Sequence, residues 1–543
     1  MANNILSVPK PANEPILSYG PGTPEKATLK AELERMLSQQ IEIPLLIGGK
    51  EVRTGNTARA VCPHDHQHAL ATYHQAGPKE VEMAIAASQE AWHDWSEMPW
   101  ESRAAIFLKA ADLLAGPMRA SANAATMLNQ SKTVFQAEID SACELIDFYR
   151  FNPYYMRFVY DQQPDSAKGI WDYAEYRALE GFIFAATPFN FTSIAGNLPT
   201  APAMMGNTVL WKPASSAVFS AYHILKILQA AGLPDGVINF LPGRGGSVGD
   251  PVLGSPHFAG VHFTGSTAVF QGMWRTIGAN IARYKGYPRI VGETGGKDFI
   301  FAHPSADPIA LATAMVRGAF EFQGQKCSAA SRAYVPKSLW PKVKESLLGQ
   351  MGEIKMGPPT DFRNFATAVI DKAAFGTHKG YLDFARSCPD CTILAGGGCD
   401  DSVGYFVQPT VVQTTDPRCK MMAEEIFGPV FTLFVYDDAK LDEALDLCDT
   451  TSPYALTGAV FAQDRKAIVH MAGKLRHAAG NFYINDKPTG AVVSQQPFGG
   501  GRASGTNDKA GSYLNLIRWT SMRSVKETFL PPTHFAYPFM GEE

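Results

Sequence analysis

Residues 181–213, GFIFAATPFNFTSIAGNLPTAPAMMGNTVLWKP, contain two short apolar segments, GFIFAAT and NTVLWKP, that are typical of buried strands. The next segment, AVFSAYHILKILQAAG, has the apolar spacing of a helix and ends at Gly232. Three further strand-like segments, GVINFLPG, GVHFTG and RIVGETGG, extend the alternation to residue 296. Because strands that alternate with helices form parallel sheets with right-handed crossovers, this region predicts a dinucleotide-type fold.

A second series of strands and helices begins after residue 297. It contains KDFIFAH, DPIALATAMVRGAFEF, SRAYVP, ALTGAVFAQD and GNFYIND. Upstream of both series, residues 78–96 and 102–115 space their apolar side chains three and four apart, which predicts two surface helices. The chain therefore predicts two α/β domains that meet near the glycine pair at 295 and 296.

The composition is that of a folded globular protein that acts on small molecules. Of 543 residues, 45% are apolar and 18% are charged, and the net charge of −4 is spread without basic clusters. These values favour two or three domains and argue against nucleic acid or an anionic membrane as a partner. No apolar run approaches the roughly 20 residues of a membrane span, and residues 1–26 show neither a signal peptide nor an Arg-rich presequence.

The eight cysteines are scattered, which does not suggest a disulfide framework and favours a reducing compartment. Two clusters are candidate metal sites: Cys388, Cys391 and Cys399 form one, and the segment VCPHDHQH at 61–68 forms the other. Neither has a second ligand pair at zinc-finger spacing. Polar loops without a metal are the preferred interpretation of both.

Cys327, in EFQGQKCSAA at 321–330, has three interpretations: a packed core thiol, a metal ligand or a nucleophile. A thiol is a useful nucleophile when it is partly exposed and its anion is stabilised, and a turn with glycine after a helix gives such access. A buried small side chain is nevertheless the commoner fate of a free cysteine. Residues elsewhere in the chain must decide between these interpretations.

Three polar residues stand at the ends of predicted strands, where the ligand sites of parallel sheets lie. Glu293 precedes a Gly-Gly turn and is a candidate general base, although it could equally cap that turn. Asn190 offers a neutral donor to a developing oxyanion, or it simply holds a turn. Lys212 could bind ribose hydroxyls or be solvated.

Glycine spacing suggests where a phosphate could bind. Gly243, Gly245 and Gly249 follow the strand-like VINFLP, but their spacing is one residue off the dinucleotide fingerprint. Gly265 and Ser266 are stronger candidates because they follow VHF and open the next predicted helix. The free amides and positive dipole end of that helix can face a pyrophosphate.

Taken in chain order, PFN, WKP, FTGST, ETGGK, GQKC and EEIFGPV resemble the motifs of the aldehyde dehydrogenase superfamily, over residues 40–530. The resemblance implies an α/β fold with a Rossmann-type NAD-binding domain, a second α/β catalytic domain and a small β oligomerisation element. The implied division is an N-terminal extension at 1–36, an NAD-binding domain at 37–159 and 181–296, a catalytic domain at 297–505, and oligomerisation strands with a C-terminal tail at 160–180 and 506–543.

By this resemblance Cys327 attacks an aldehyde, and the Asn190 amide and the Cys327 N–H bind the oxyanion of the thiohemiacetal. Glu293 then activates the water that hydrolyses the thioester. The expected cofactor is NAD, although Ser215 replaces the acid typical of strict NAD users and leaves NADP open; Phe270 also replaces a common glycine. The residues expected to bind the cofactor are Thr187, Lys212, Gly265, Ser266, Glu425 and Phe427.

Four segments narrow the implied reaction to the NAD-dependent oxidation of glutamate γ-semialdehyde to glutamate, a step of proline catabolism. The α-carboxylate and α-ammonium of that aldehyde lie remote from the reacting carbon, so the site needs donors a short chain away from the thiol. Two of the residues expected to bind the substrate have another interpretation: Ser328 could only cap the backbone, and Phe498 could belong to the hydrophobic core. The residues expected to bind the substrate are Glu144, Phe191, Ser328, Gly490, Ala491 and Phe498. The four segments are LEGFIFAATPFNFTSIAGN, QAEIDSACELIDFYRFN, FEFQGQKCSA and QQPFGGGRASGTNDKAG.

The resemblance also implies an assembly and a compartment. Residues 160–180 and 511–529 are expected to pair as oligomerisation strands, which predicts a homodimer or a higher oligomer. The implied compartment is the mitochondrial matrix in a eukaryote or the cytoplasm in a bacterium.

Two other classes of function stay open at this stage. The first is a different aldehyde dehydrogenase, acting on a succinate or betaine semialdehyde, or a CoA-acylating relative that would not need Glu293. The second is a non-catalytic binding or structural protein on the same scaffold, because a fold alone never guarantees chemistry. The presence of Cys327, Glu293 and Asn190 together argues against the second class.

Overall fold

The computed structural model describes residues 6–542, and its larger layers are two seven-stranded sheets. In the first sheet, five neighbouring strands run parallel and two short strands add antiparallel at one edge. The carboxyl ends of the parallel strands therefore meet at one edge of the sheet, where Lys212 and Glu293 stand. In spatial order the strands are Arg289–Glu293, Phe258–Thr264, Phe182–Ala186, Thr208–Lys212, Ile238–Phe240, Leu45–Ile47 and Lys50–Val52.

The second sheet begins directly after the glycine pair at 295 and 296. Its strands are parallel except for the first, which pairs antiparallel at the edge. The predicted fold class, α/β with two mainly parallel sheets, is confirmed. In spatial order the strands are Cys391–Ala395, Thr410–Thr414, Val430–Tyr436, Ala330–Pro336, Asp298–Ala302, Thr457–Phe461 and Asn481–Ile484.

Four smaller sheets complete the β structure of residues 6–542. Ile170–Arg177 and Ser521–Thr528 pair antiparallel over their full length, and we call this two-stranded sheet the arm. The strands expected to pair for oligomerisation thus do pair with each other within the chain. The remaining sheets contain Ile41–Ile43, Asp65–His74 and Thr57–Cys62; Cys399–Asp400 and Phe406–Val407; and Tyr454–Ala455 and Gly501–Arg502.

The helices pack on both sheets and include one π-helical segment, Glu138–Glu144, that the sequence did not indicate. The helix Val218–Ala231 buries Ile224 and Leu228 and ends at Gly232, whose φ of 93° suits glycine. The α-helices are Pro24–Leu37, Pro78–Glu97, Trp100–Ala115, Arg119–Gln130, Val134–Ala137, Leu145–Tyr160, Thr192–Met204, Val218–Ala231, Gly245–Gly254, Thr267–Ala279, Pro308–Phe320, Trp340–Glu353, Lys372–Ser387, Lys420–Ala423, Leu441–Thr450, Arg465–Lys474 and Tyr513–Ile517.

The two candidate metal segments are more ordered than the polar loops that the sequence favoured. Residues 61–68 lie at the closed end of a hairpin, with the turn at 63–64 and with Cys62 and His64 buried, and Cys391 begins a strand. The prediction of loops was wrong because burial and strand pairing depend on contacts with distant residues, such as the hydrogen bond between His64 and Ser131. Within residues 6–542, no group of three or more His, Cys, Asp or Glu side chains is placed to bind a metal.

No helix in the described part of the chain is long and apolar enough to cross a membrane.

Candidate active site

Cys327 lies on a tightly fixed loop between the helix Pro308–Phe320 and the strand Ala330–Pro336. A single 3-10 turn, Glu321–Gly324, precedes it, and Phe322 and Gln323 adopt left-handed backbone angles with φ of 52° and 53°. Side-chain hydrogen bonds hold this strained turn: Gln323 Nε2 donates to Thr367 Oγ1 at 2.8 Å, and the Thr367 N–H donates back to Gln323 Oε1 at 3.0 Å. The nucleophile candidate is therefore positioned by residues more than 40 positions away.

The Cys327 thiol is buried, with 6% of the residue exposed. The expectation of a partly exposed, stabilised thiolate was wrong in this respect, because the loop folds inward between the two sheets. Burial raises the pKa of the Cys327 thiol well above its ordinary value, and the nearby charges of Glu293, Asp298 and Glu425 raise it further. Access comes instead through two cavities, since Cys327 lines both of them.

Asn190 follows the strand Phe182–Ala186 and reaches the cysteine loop. Its Nδ2 donates to the Gln325 carbonyl at 3.1 Å, two residues before Cys327. An amide nitrogen carries two hydrogens, so one remains for another acceptor. Asn190 and Cys327 line the same cavity, which places a neutral donor beside the sulfur.

Glu293 ends the strand Arg289–Glu293, and a distant loop fixes this strand end. The Thr294 N–H donates to the Ser504 carbonyl at 2.8 Å, and the Thr506 N–H donates to the Gly292 carbonyl at 2.9 Å. Within residues 6–542, the buried Oε1 atom of Glu293 has no hydrogen-bond partner. Burial raises the pKa of Glu293 to about 7, which suits a general base at neutral pH.

The Glu293 side chain lines a third, small cavity of about 60 Å³ rather than either of the two cavities that Cys327 lines. This small cavity shares Thr264 with the larger cavity and shares Glu144 and Phe498 with the smaller one. Glu293 also acts on the thiol directly, because its charge is among those that raise the pKa of Cys327. The two groups are therefore neighbours at the junction of the cavities.

The larger cavity has a volume of about 720 Å³ and opens at the carboxyl ends of the first sheet. Ser266 caps the helix Thr267–Ala279, and the wall includes Gly245 and Gly249, whereas Gly243 packs behind against Ala76. Every residue expected to bind the cofactor lines this cavity, which is large enough for a dinucleotide: Thr187, Lys212, Gly265, Ser266, Glu425 and Phe427.

Two charged residues of this cavity are strongly desolvated. Burial lowers the pKa of Lys212 to about 8, and its Nζ donates to the Pro213 carbonyl at 3.1 Å. Burial raises the pKa of Glu425 to about 7, and its Oε1 accepts the Gly296 N–H at 2.8 Å. Phe270, which stands where a glycine is common, stacks on Phe263 at 5.4 Å and is buried behind the cavity wall. The wall of the larger cavity therefore offers a basic donor, Lys212, and an acidic acceptor, Glu425, which suit ribose and phosphate groups.

The smaller cavity, of about 270 Å³, lies on the other side of Cys327. Ser328 Oγ is 2.8 Å from Thr489 Oγ1, and Gly490 adopts a φ of 97° that turns the adjoining backbone. Every residue expected to bind the substrate lines this cavity: Glu144, Phe191, Ser328, Gly490, Ala491 and Phe498.

A buried polar network supports the wall of this cavity and was missed in the sequence. Asp140 accepts hydrogen bonds from the Thr192 and Ser193 N–H groups at 3.0 and 2.9 Å, and from Lys132 Nζ at 2.6 Å. Ser193 Oγ donates to Asp140 Oδ1 at 2.6 Å and lies 2.9 Å from Glu144 Oε2. Burial raises the pKa of Glu144 to about 8, and the charge of Asp140 raises it further. These surroundings favour the protonated form of Glu144.

Other residues of the smaller cavity were also missed. Lys326 and Glu321 form a buried ion pair at 3.2 Å, and Lys326 stands beside Cys327 in the GQKC motif, where it could have been noticed. Asn13 and Glu14 reach the cavity from the N-terminal region, for which no local pattern gives a signal.

The fold and the site define a family. The sequence profile of the Aldehyde dehydrogenase family matches residues 51–525, and the chain belongs to this family. It is 52% identical to the mitochondrial delta-1-pyrroline-5-carboxylate dehydrogenase of Dictyostelium discoideum, over 98% of this chain and 96% of that protein. It is 49% identical to the human mitochondrial protein of the same name, over 98% and 94%.

Solved structures similar to this chain include proteins of the same name as these sequence relatives. The delta-pyrroline-5-carboxylate dehydrogenase of Mycobacterium tuberculosis bound with NAD superposes with a TM-score of 0.96 at 51% identity, covering 100% of both chains. The Thermus 1-pyrroline-5-carboxylate dehydrogenase with bound NAD superposes with a TM-score of 0.91 at 32% identity, over 96% of this chain and 100% of that chain.

Proposed function

We propose that this protein oxidises L-glutamate γ-semialdehyde, the open form of Δ1-pyrroline-5-carboxylate, to L-glutamate with NAD. The observation that supports this proposal is the position of Cys327. It lines both the larger cavity, which is large enough for a dinucleotide, and the smaller cavity, whose wall includes Ser328, Gly490 and Ala491. The expectation from the sequence is confirmed by relatives that carry this name at about half identity over nearly the whole chain.

Cys327 supplies the nucleophile. Its sulfur attacks the aldehyde carbon, and the thiol proton leaves to a neighbouring base, since the raised pKa of the thiol disfavours a free thiolate. The free Nδ2 hydrogen of Asn190 and the Cys327 N–H donate to the developing oxyanion. The larger cavity would hold NAD, which would supply the acceptor for the hydride that leaves the thiohemiacetal carbon, and a thioester would then remain on the Cys327 sulfur. Each neutral donor of this kind is worth about 3 kcal/mol of transition-state stabilisation.

Glu293 completes the cycle as the general base. A carboxylate with a pKa of about 7 is partly ionised at neutral pH and strong enough to accept a proton from water. The water then attacks the thioester carbon, the carbon–sulfur bond breaks, and glutamate leaves. The unpartnered Oε1 atom of Glu293 is the acceptor that this step requires.

The amino-acid end of the substrate occupies the far part of the smaller cavity. Ser328 Oγ and the N–H groups of Gly490 and Ala491 donate to the α-carboxylate, and the rings of Phe191 and Phe498 pack on the methylene groups. An aldehyde without this end leaves those donors without acceptors, and unpaired buried donors are costly.

Lys212, Glu425 and Phe427 line the larger cavity, where Lys212 and Glu425 would hold the two riboses of NAD and Phe427 would contact its nicotinamide. Thr187, Gly265 and Ser266 line the phosphate side, where the helix Thr267–Ala279 begins. We propose NAD rather than NADP, and the two NAD-bound structures of relatives support this choice.

The domain division, the assembly and the compartment are also proposals. The two sheets on either side of residue 296 support a boundary there between an NAD-binding and a catalytic domain. The arm, with Trp171 and Met522 more than half exposed, supports a homodimer or a larger oligomer. The word mitochondrial in the names of eukaryotic relatives supports the mitochondrial matrix in a eukaryote, with the cytoplasm as the bacterial counterpart.

A steady-state comparison of aldehydes tests the proposed function. NADH formation is measured with glutamate γ-semialdehyde, succinate semialdehyde, betaine aldehyde and butanal, with NAD and NADP as cofactors. We expect kcat/KM for glutamate γ-semialdehyde to exceed that of the other aldehydes by at least about 100-fold, because only this substrate satisfies the donors of the far end. A preference for an aldehyde without an α-amino acid end would contradict the proposal.

A further inference from the structure

The N-terminal strap, Asn13–Leu17, forms part of the wall of the smaller cavity. Asn13, Glu14 and Ile16 line the cavity together with Cys327 and Gly490. The family profile begins at residue 51, so the strap lies outside the residues that this profile matches. Its own hydrogen bonds show what it contributes to the cavity wall.

Asn13 uses both ends of its amide to join two elements of the cavity. Its Nδ2 donates to Asp147 Oδ2 at 2.8 Å and to the Val493 carbonyl at 2.9 Å. Its Oδ1 accepts from Gln495 Nε2 at 3.0 Å. Asp147 belongs to the helix Leu145–Tyr160, whereas Val493 and Gln495 belong to the loop that carries Gly490 and Ala491. Asn13 thus bridges that helix and that loop.

The rest of the strap holds Asn13 in place. Glu14 forms ion pairs with Arg119 at 2.5 Å and Arg150 at 2.6 Å, and its N–H donates to Asp147 Oδ1 at 2.8 Å. The Leu17 N–H donates to Glu138 Oε1 at 2.8 Å. Because the flanking residues are fixed, the Asn13 amide presents a rigid surface to the loop.

Other contacts also restrain this loop, because the Val492 N–H donates to Gln496 Oε1 at 2.9 Å and Val493 packs in a small apolar cluster. Ser328 and Thr489 tie its start at 2.8 Å, and Tyr155 donates to Ser494 Oγ at 2.9 Å. Between these points, the backbone N–H groups of Gly490 and Ala491 must keep one orientation to donate together to a carboxylate. The two hydrogen bonds of Asn13 to this loop, at Val493 and Gln495, limit its rotation.

We propose that Asn13 is a positioning residue that sets the specificity of this enzyme for an aldehyde with an α-amino acid end. It acts through the Gly490–Ala491 backbone and has no contact with the reacting carbon. This inference rests on the proposed function, since it assigns the loop to the α-carboxylate. An aldehyde that lacks the amino-acid end makes no use of the loop, so Asn13 matters only for substrates that carry it.

The test compares Asn13→Asp and Asn13→Ala with the matched control Ser18→Ala. Asn13→Asp keeps the shape and the acceptor for Gln495 but loses the donors to Val493 and Asp147 and places a carboxylate beside Asp147, whereas Asn13→Ala removes the bonds without adding a charge. Ser18 is exposed in the next part of the same segment and does not line the cavity. For each full-length variant, KM and kcat are measured with glutamate γ-semialdehyde and with butanal, and the thermal midpoint is recorded.

We expect both Asn13 variants to raise KM for glutamate γ-semialdehyde by about tenfold, the effect of one or two lost hydrogen bonds to the loop, with kcat changed less than about twofold. KM for butanal and all values of Ser18→Ala should stay unchanged. A parallel change with both aldehydes would show a structural role, and unchanged KM would show no role; either result overturns the inference. If wild-type protein shows no preference for glutamate γ-semialdehyde over butanal, the proposed function itself has failed.

Discussion

In the proposed mechanism two ionisable residues, Cys327 and Glu293, carry the chemistry, and their surroundings shift the pKa of both upward. The shift makes Cys327 a thiol rather than a thiolate in the free protein, and it makes Glu293 a base near neutrality. A protonated Glu293 cannot accept a proton from Cys327 or from water. The ionisation of Glu293 therefore limits the reaction on the acid side.

The first prediction concerns this pH dependence. When thioester hydrolysis limits turnover, kcat should rise as the pH increases through about 7, because the carboxylate form of Glu293 is the active base and its pKa is raised to that value by burial. The Glu293→Gln variant should lose about 100- to 10,000-fold in kcat and lose this dependence on pH. Steady-state rates across a range of buffered pH values measure both effects.

Glu527→Gln makes the same change on the exposed arm and is the matched control. It should leave the dependence of kcat on pH unchanged. If Glu293→Gln keeps the rise near pH 7, another group is the base.

The helix Thr192–Met204 determines where Asn190 stands, because Asn190 lies two residues before it. Asp140 binds the N–H groups at its first turn and also neutralises Lys132, whose Nζ lies 4.3 Å from the Phe191 ring centroid. Both Asp140 and Lys132 are at most 1% exposed. One carboxylate thus fixes the start of the helix that follows Asn190, the proposed oxyanion donor, and pairs with the lysine that packs on Phe191 of the smaller cavity.

The second prediction concerns this carboxylate. Asp140→Asn should lower the free energy of unfolding by about 3–5 kcal/mol, because Lys132 would remain buried without its counterion. Urea unfolding of the purified variant measures the change. Asp161→Asn, which breaks an exposed pair with Arg157 at 2.9 Å, is the control and should cost less than about 1 kcal/mol. Equal effects of the two substitutions would contradict the importance assigned to the buried pair.

The sequence predicted features that depend on neighbouring residues. It could not predict features that depend on contacts between residues far apart in the chain. Lys212, Glu293 and Ser266 could be placed because a strand end and a helix start are each encoded within a few residues. The Asp140 cap and the Asn13 bridge could not be found, since their partners lie 52 and 480 positions away. The burial of Cys327 was missed for the same reason: no local pattern reports how the two sheets enclose its loop.

In the whole molecule, loops that follow strands of both seven-stranded sheets line the larger cavity, and the arm forms a separate two-stranded sheet. The arm exposes apolar side chains on both faces, and Trp171 contacts Tyr173 with ring centroids 4.9 Å apart. A two-stranded sheet with exposed aromatic residues and open edges is a natural element for pairing with a second copy.

The third prediction concerns this assembly. We expect the protein to sediment as a dimer or a larger oligomer, and Trp171→Glu to shift the distribution toward monomer by placing a charge in the contact. Analytical ultracentrifugation at several protein concentrations measures the distribution. Lys168→Glu, which changes an exposed residue just before the arm, is the control and should have little effect. A monomeric wild-type protein would refute the proposed assembly.

The central claim is that Cys327 and Glu293 act in sequence on one carbon, and mass spectrometry of the Glu293→Gln variant tests it most directly. The variant is incubated with NAD and glutamate γ-semialdehyde, quenched in acid and digested. We predict close to one equivalent of NADH per active site in a first burst, together with a glutamyl thioester on the peptide that contains Cys327. Full multiple turnover by the variant, or an acyl group on any other residue, would contradict the claim.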